Sequence, residues 1–286
     1  MLTALCLSAS HVIARSVHGE IPPIGLSFWR WVTGALILAP LVLPKALRRC
    51  EVYREHVPIL AVLGFLIVGS TTALFVALNF TTAVNVSLIN AIQPVLTVML
   101  AVVFLRDHIS RAGMAGIVAA TLGALVMLTE GDFSNLFRFR LNGGDLIALA
   151  ATVGLSLYAL NLKRLPADLS MTESLFVISL TGSLMLLPLY VLESVIYMPV
   201  PMRTGTVVVV LELALLVSVF GNLMWNLGNR VIGPAHAAMF INLIPLFGAA
   251  LAITFLGERI FFHHWVGALL ICTGIWAIVG GINPKR

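Results

Sequence analysis

The sequence predicts an all-α integral membrane protein: ten transmembrane helices arranged as two inverted five-helix repeats. Three observations carry that prediction. The first is composition. Of 286 residues, 60% are hydrophobic and only 10% charged, with a mean hydropathy of +1.05. That is more apolar surface than a soluble fold of this length can bury. The second is the presence of ten apolar stretches, each close to the roughly 17–25 residues that a helix needs to cross a bilayer. The third is an internal repeat: residues 78–130 recur, diverged, as residues 229–281, at a constant offset of 151. Pro94 falls on Pro245, Gly116 on Gly267, Gly123 on Gly274 and Asp107 on Glu258. Matches of Leu and Ala are cheap in so apolar a chain, so the proline, glycines and acid carry the weight.

The ten segments run over about 1–17, 25–44, 57–79, 84–105, 110–129, 142–162, 170–192, 205–228, 232–255 and 260–281. None of the connections between them could house a soluble domain. In lipid each stretch must be helical, because the backbone finds no hydrogen-bond partners outside its own helix or a closed barrel, and the alternation of barrel strands is missing. Segment 1 would be only about 25 Å long, at 1.5 Å per residue. Such a short span predicts that the natural chain begins upstream. No basic leader or cleavage site marks it as a signal peptide.

Polar groups inside apolar segments are the functional candidates, because a bilayer makes them expensive. In segment 1, His11 stands beside Ser8 and Ser10. An imidazole titrating near neutrality suits substrate binding or proton coupling, and a neutral bridge between helices is the alternative. Segment 2 holds Phe28-Trp29-Arg30-Trp31, read as an aromatic belt with Arg30 snorkelling outward as an anchor, and Glu212 or Glu20 as conceivable partners. In segment 4, the spacing of Ser87, Asn90, Pro94 and Thr97 puts amide, hydroxyls and a carbonyl freed by proline on one helical face. Segment 5 brings Gly116, Ala120 and Gly123, and segment 10 brings Gly267 and Gly274. These small residues predict close helix packing, with a scaffold or dimer face as its use.

Segment 6 offers the hydroxyl of Tyr158. Segment 8 carries Asn222, Trp225, Asn226 and Asn229, a ring with amides around it that could stack on a planar or cationic solute; an interfacial belt is the alternative for Trp225. Glu212, also in segment 8, is the carboxylate clearly inside a span and the candidate proton carrier. Asn242 in segment 9 precedes Pro245 much as Asn90 precedes Pro94, one position out of register. The substrate-binding candidates are therefore His11, Asn90, Tyr158, Trp225, Asn226 and Asn242, and the coupling candidates Glu212 and His11. Asp107 and Glu258 are read as helix-end partners in hairpins.

Charge sets the orientation. With the N-terminus inside, eleven Lys and Arg fall in inner connections and five in outer ones, so both termini are expected in the cytoplasm. The net charge of +5 is scattered over loops and implies no nucleic acid. Cys6, Cys50 and Cys272 have neither pairing nor metal-ligand spacing. The sequence contains no G-x-x-x-x-G-K-[ST] phosphate loop and no room for an ATPase domain, so any work across the membrane must run on a gradient. Five spans separate each pair of matched helices, and an odd number reverses direction. Inverted halves are a common plan of secondary transporters, whose site lies between the halves near the midplane.

Residues 237–245, Ala-Ala-Met-Phe-Ile-Asn-Leu-Ile-Pro, lead into Phe255-Leu256-Gly257-Glu258-Arg259. With the first-half counterpart Ser87-Leu88-Ile89-Asn90-Ala91-Ile92-Gln93-Pro94 and Phe104-Leu105-Arg106-Asp107, they resemble the EamA-type members of the drug/metabolite transporter (DMT) superfamily. The resemblance covers nearly the whole chain, including Asn142-Gly143-Gly144-Asp145. It implies ten helices, a first repeat at 1–130 and an inverted second at 131–286, and a cavity lined by helices 1, 3, 4, 6, 8 and 9. It further implies an inner-membrane protein that moves a small organic metabolite by alternating access. The expected cargo is an amino acid, a derivative or an amphipathic amine or drug. Export is favoured; the alternative is an uptake permease for a vitamin or nucleoside-like solute. An intramembrane enzyme ranks lower, because His11 and Glu212 do not make a catalytic cluster and His263-His264 lies in a hairpin. The expected partners are the small-molecule substrate, the lipid bilayer and a proton as candidate coupling ion. No cofactor or metal is expected, and the protein is read as a monomer or homodimer.

Overall fold

A computed structural model of the protein describes residues 1–7, 21–106, 110–132, 142–256 and 261–279. Residues 2–7 are helical (α1); His11, Glu20, Asp107 and Glu258 lie outside the described residues. The helices that follow are α2 Pro23–Ala46, α3 Cys50–Ala77, α4 Ala83–Leu105, α5 Arg111–Leu128, α6 Gly143–Arg164, α7 Met171–Ile196 and α8 Thr204–Ile232. After them come α9, built from Pro234–Ala238, Met239–Asn242 and Leu243–Leu256, and α10 Phe262–Val279. Among the described residues, eight helices are long and apolar enough to cross a membrane, and α10 is a shorter apolar one. Leu36, Phe65, Met99, Val103, Leu184, Val195 and Trp276 are exposed along them, the apolar sheath expected where lipid is the solvent.

Short connections reverse the chain at each step. One face of the bundle therefore carries the start of α2, the α3–α4 turn and the start of α6 (the Pro23 face). The other carries the end of α2, the start of α3 and the end of α6 (the Ala46 face).

Four helices are irregular, and the irregularities fall in matched pairs. In α4 the helix stops at Ala91 and restarts at Gln93. Pro94 has no N–H to give and its ring clashes with the carbonyl four residues back, so the ladder cannot pass unbroken. In α9 the chain tightens into a 3₁₀ turn over Met239–Asn242 just before Pro245. In α3, Phe65–Gly69 is π-helical, and in α8, Ala214–Gly221 is too. Adding 151 carries 65–69 onto 216–220, inside the second stretch. Even the repair of the widened turns is matched. Thr71 Oγ1 donates to the Ile67 carbonyl at 2.8 Å, and Asn222 Nδ2 donates to the carbonyls of Val217 at 2.9 Å and Ser218 at 3.4 Å. Thr71 and Asn222 are 151 apart, as are Ile67 and Ser218.

Helices α5 and α10 meet along glycines. A Cβ on Gly123 would stand 2.7 Å from the Gly267 carbonyl oxygen, and one on Gly274 would stand 2.5 Å from that of Gly116. The offset maps one contact onto the other, so the packing is reciprocal. Helix α2 packs against the π stretch of α8, and α7 packs against that of α3.

Candidate functional site

Residues 1–7, α8 and α9 line a partly open cavity of about 330 Å³. Its walls come from Thr3, Ala4 and Leu7; from Met224, Trp225, Gly228 and Ile232 on one stripe of α8; and from Ala237, Phe240 and Ile241 at the irregular part of α9. The lining is aromatic and aliphatic with few polar groups, suited to the apolar body of a small solute. Thr3 Oγ1 donates to the Gly221 carbonyl at 3.3 Å, holding the first segment to the end of the π stretch. Among the sequence candidates, Trp225 lines this cavity.

The neighbouring residue turns elsewhere. Asn226 is fully buried, and its Oδ1 accepts from the Tyr158 hydroxyl at 2.9 Å. Asn226 points about 100° round α8 from Trp225 and is not among the residues lining the cavity. Asn222, Asn226 and Asn229 form the buried stripe of α8. Asn229 Nδ2 is bonded to the Trp225 carbonyl at 2.9 Å, while Asn226 Nδ2 and Asn229 Oδ1 are buried without a partner among the described residues. Asn90, half-buried beside the break in α4, likewise has an unpartnered Oδ1. Asn242 is buried and donates from Nδ2 to Thr121 Oγ1 at 3.3 Å, which ties α9 to α5. Thr97 ties α4 to α6 through Ser156 Oγ at 3.1 Å. Glu212 is half-buried in the first part of α8. The structure thus joins Tyr158 to Asn226 and puts Trp225 in the cavity wall, while Asn242, which follows Ile241 of that wall, is bonded to Thr121.

Arg30 differs from the outward-reaching anchor the sequence suggested. It is 2% exposed, with its guanidinium 4.9 Å from the Trp31 ring centre and 5.4 Å from that of Phe75, and its NH1 donates to Ser218 Oγ at 3.2 Å. The aromatic belt is formed instead by Phe28 stacked on Tyr190 at 4.4 Å and by the Trp29 indole bonded to the Tyr190 hydroxyl at 3.1 Å.

Both ends of the bundle carry polar ties that sequence reading missed. On the Pro23 face, Asp145 Oδ1 accepts from Thr81 at 2.6 Å and from Asn85 at 3.2 Å, joining the α3–α4 turn to a capping box at the start of α6. Also on that face, the Glu193 carboxylate accepts from the backbone N–H groups of Ile24 and Gly25 at 3.1 and 2.6 Å, capping α2. On the Ala46 face, Tyr53 donates to Glu173 at 2.8 Å and His56 lies 3.1 Å from Asp168. The Ser170-x-x-Glu173 box was readable in the sequence; its Tyr53 partner, 120 residues away, was not. Among the described residues, no three His, Cys, Asp or Glu side chains assemble as a metal site.

A lipid-facing helical bundle with paired discontinuities and a solute-sized cavity against one of them defines a membrane transporter of the inverted-repeat class. The comparisons agree. The EamA-like transporter family matches residues 1–129 and 142–280, and the chain belongs to that family. It is 29% identical to the uncharacterized transporter YyaM of Bacillus subtilis, over 97% of this chain and 91% of that protein. It is also 29% identical to a probable terminal-alkyne amino-acid exporter of Streptantibioticus cattleyicolor, over 82% of this chain and 76% of the relative. With a probable amino-acid metabolite efflux pump of Escherichia coli it shares 24% identity, over 96% and 91% of the two chains. A solved crystal structure superposes with a TM-score of 0.77 at 19% identity, covering 96% of this chain and 93% of its own, which supports the fold.

Proposed function

We propose that this protein is a gradient-driven exporter of small amphipathic organic metabolites, amino acids and their derivatives foremost, working by alternating access in the inner membrane with both termini cytoplasmic. The observation that carries the reading is the apolar, tryptophan-walled cavity set against the irregular part of α9, beside the π stretch of α8. The matched breaks in α4 and α9 support two inverted repeats, 1–130 and 131–286, that exchange conformations. Two relatives named for amino-acid export support the direction. Solute enters against Trp225 and Phe240, and Tyr158, Asn226 and Asn90 supply polar contacts as the halves rock. A proton, carried by Glu212 or His11, is the candidate driving ion.

The test is thermal stability of the purified protein against amino acids, amino-acid esters, amines, nucleosides and vitamins, followed by counterflow in proteoliposomes with each compound that stabilises it. A ligand that binds only the folded protein at 100 times its Kd adds about 2.7 kcal/mol. Amino-acid-type compounds should stabilise and exchange, and Trp225→Ala should abolish both effects in a protein that still folds. Stabilisation by nucleosides or vitamins alone would move the reading to the uptake permease. Unaltered binding in the Trp225 variant would remove the cavity from it.

A further inference from the structure

Arg30 is the buried charge that the transport reading leaves unused. It lies seven residues into α2 from Pro23, about 10 Å along the helix, and is 2% exposed. A guanidinium taken out of water needs compensation from a counter-charge, and among the described residues none is supplied. Glu193 is committed to the N–H groups of Ile24 and Gly25. Asp145 is committed to Thr81, Asn85 and Asn142. Glu212 makes no ion pair with Arg30. What Arg30 has is two aromatic rings and one neutral hydroxyl, with Nε buried and unpartnered. Nearby hydroxyls are occupied: Ser27 with Thr72 at 2.7 Å, Thr71 with the Ile67 carbonyl at 2.8 Å. The guanidinium is held by aromatic faces and one hydroxyl, with no anion beside it among the described residues.

Its place in the fold says which anion. The hydroxyl that meets Arg30 belongs to Ser218, inside the π stretch of α8, and π turns inside α-helices concentrate at functional sites. Seven residues further along α8 is Trp225 in the cavity wall, again about 10 Å, or two turns, away. Gly221, between them, is where Thr3 holds the first segment. One helix, irregular at Ser218 and regular again at Trp225, therefore runs from the unpaired guanidinium to the apolar cavity.

We propose that Arg30 is the docking group for the carboxylate of the solute, and hence that the substrate class is amphipathic organic carboxylates, not simple amines. The proposal rests on the transporter reading and narrows it. The carboxylate takes the Nε and terminal N–H of Arg30 as a bidentate pair, while the apolar body lies against Trp225 and Phe240. A bare ammonium is repelled at the same position.

The test titrates the purified full-length protein with 4-phenylbutyrate and with its neutral carboxamide, following tryptophan fluorescence and thermal stability. In the wild type the acid binds at least roughly tenfold tighter than the amide. In Arg30→Gln the two bind equally, and Arg30→Lys, which keeps the charge but not the planar fork, retains a weaker preference for the acid. Equal binding of acid and amide by the wild type overturns the proposal. So does a preference that survives in Arg30→Gln. Failure of both probes to bind at roughly 10 mM also overturns it, while counterflow of any neutral or cationic solute would leave the transporter reading standing. If Arg30→Gln does not fold, the wild type and Arg30→Lys still decide.

Discussion

The seam between α5 and α10 makes a prediction whose size can be worked from distances. In Gly123→Ala the new methyl would lie 2.7 Å from the Gly267 oxygen, 2.8 Å from Leu270 Cβ and 2.9 Å from Ile271 Cγ1. Carbon atoms settle at about 3.5–4.0 Å, so the helices must part by the better part of an ångström. In Gly274→Ala the methyl would lie 2.5 Å from the Gly116 oxygen and 2.7 and 2.9 Å from the nitrogen and Cβ of Ala120. Forcing a methyl into packed helices costs about 1–3 kcal/mol, and replacing glycine by alanine within a helix returns up to about 1 kcal/mol. Each variant should lose about 1–2 kcal/mol, a fall in Tm of several degrees. Gly248→Ala, which meets nothing within 4 Å, serves as the neutral control.

The reciprocity gives the experiment its edge. Gly123 and Gly274 belong to different contacts along the seam, so their losses should be equal and should add in the double variant. Gly123 and Gly267 share one contact, so Gly123→Ala with Gly267→Ala should cost less than the sum. Thermal denaturation of the wild type, the four single variants and the two double variants in one detergent reads all of this. A large loss at Gly123 with none at Gly274, or a wild-type Tm for both, would refute the reciprocal packing.

Other expectations concern polar contacts. Tyr158→Phe removes the donor to Asn226 and leaves that amide buried with no partner at either end; a loss of about 1–2 kcal/mol should shrink in the Asn226→Leu background, as a double-mutant cycle would show. Glu193→Ala strips two N–H groups at the start of α2 of their acceptor and should cost about 1–3 kcal/mol by denaturation, more than Glu193→Gln, which keeps one acceptor oxygen. Thr81→Val breaks the 2.6 Å bond to Asp145 and should loosen the Pro23 face. In a protein cleared of Cys6, Cys50 and Cys272, a cysteine placed at Asn85 should then react several times faster with a membrane-impermeant maleimide, and an unchanged rate would count against a latch there.

Much of the fold was legible because lipid simplifies the code. Length and hydropathy fix the helices, and the predicted 84–105 and 110–129 stand as Ala83–Leu105 and Arg111–Leu128. Pro94 and Pro245 announced the two breaks by their missing donors. The π stretches did not announce themselves, because Phe65–Gly69 and Ala214–Gly221 are ordinary apolar runs. The usable clue was Thr71 and Asn222, polar residues at the repeat offset just after each run. Direction was the harder quantity. Trp225 and Asn226 are neighbours, and which one turns to the cavity depends on a rotation of α8 set by packing against α6 and α7. Arg30 was misread for the same reason: its position along α2 gave a depth, while Trp31, Phe75 and Ser218 decided which way the side chain went.

Position in the chain makes the first segment, of which residues 1–7 are described, the counterpart of α6. Helix α6 is drawn between α3 and α4 by Thr97 to Ser156 at 3.1 Å and by Thr81 and Asn85 to Asp145, with Gly154 against Ser70. Residues 1–7 lie against α8 and α9 with about 330 Å³ left over. On the alternating-access reading, that asymmetry is one state of a two-state device, and its mirror state would open the α3–α4–α6 side while closing the other. Among the described residues the switch has to break five side-chain hydrogen bonds, those three together with Asn142 to Thr81 at 3.2 Å and Ser156 to the Gln93 carbonyl at 3.5 Å, each worth about 0.5–1.5 kcal/mol net. A coupling ion or the solute can supply that much by binding one state in preference to the other. The α5–α10 seam would have to part backbone contacts along its length, so it stays fixed. Motion is therefore assigned to the helices whose ladders are already interrupted, α3, α4, α8 and α9, and Arg30, the proposed carboxylate dock, lies between two of them, against Phe75 of α3 and Ser218 of α8.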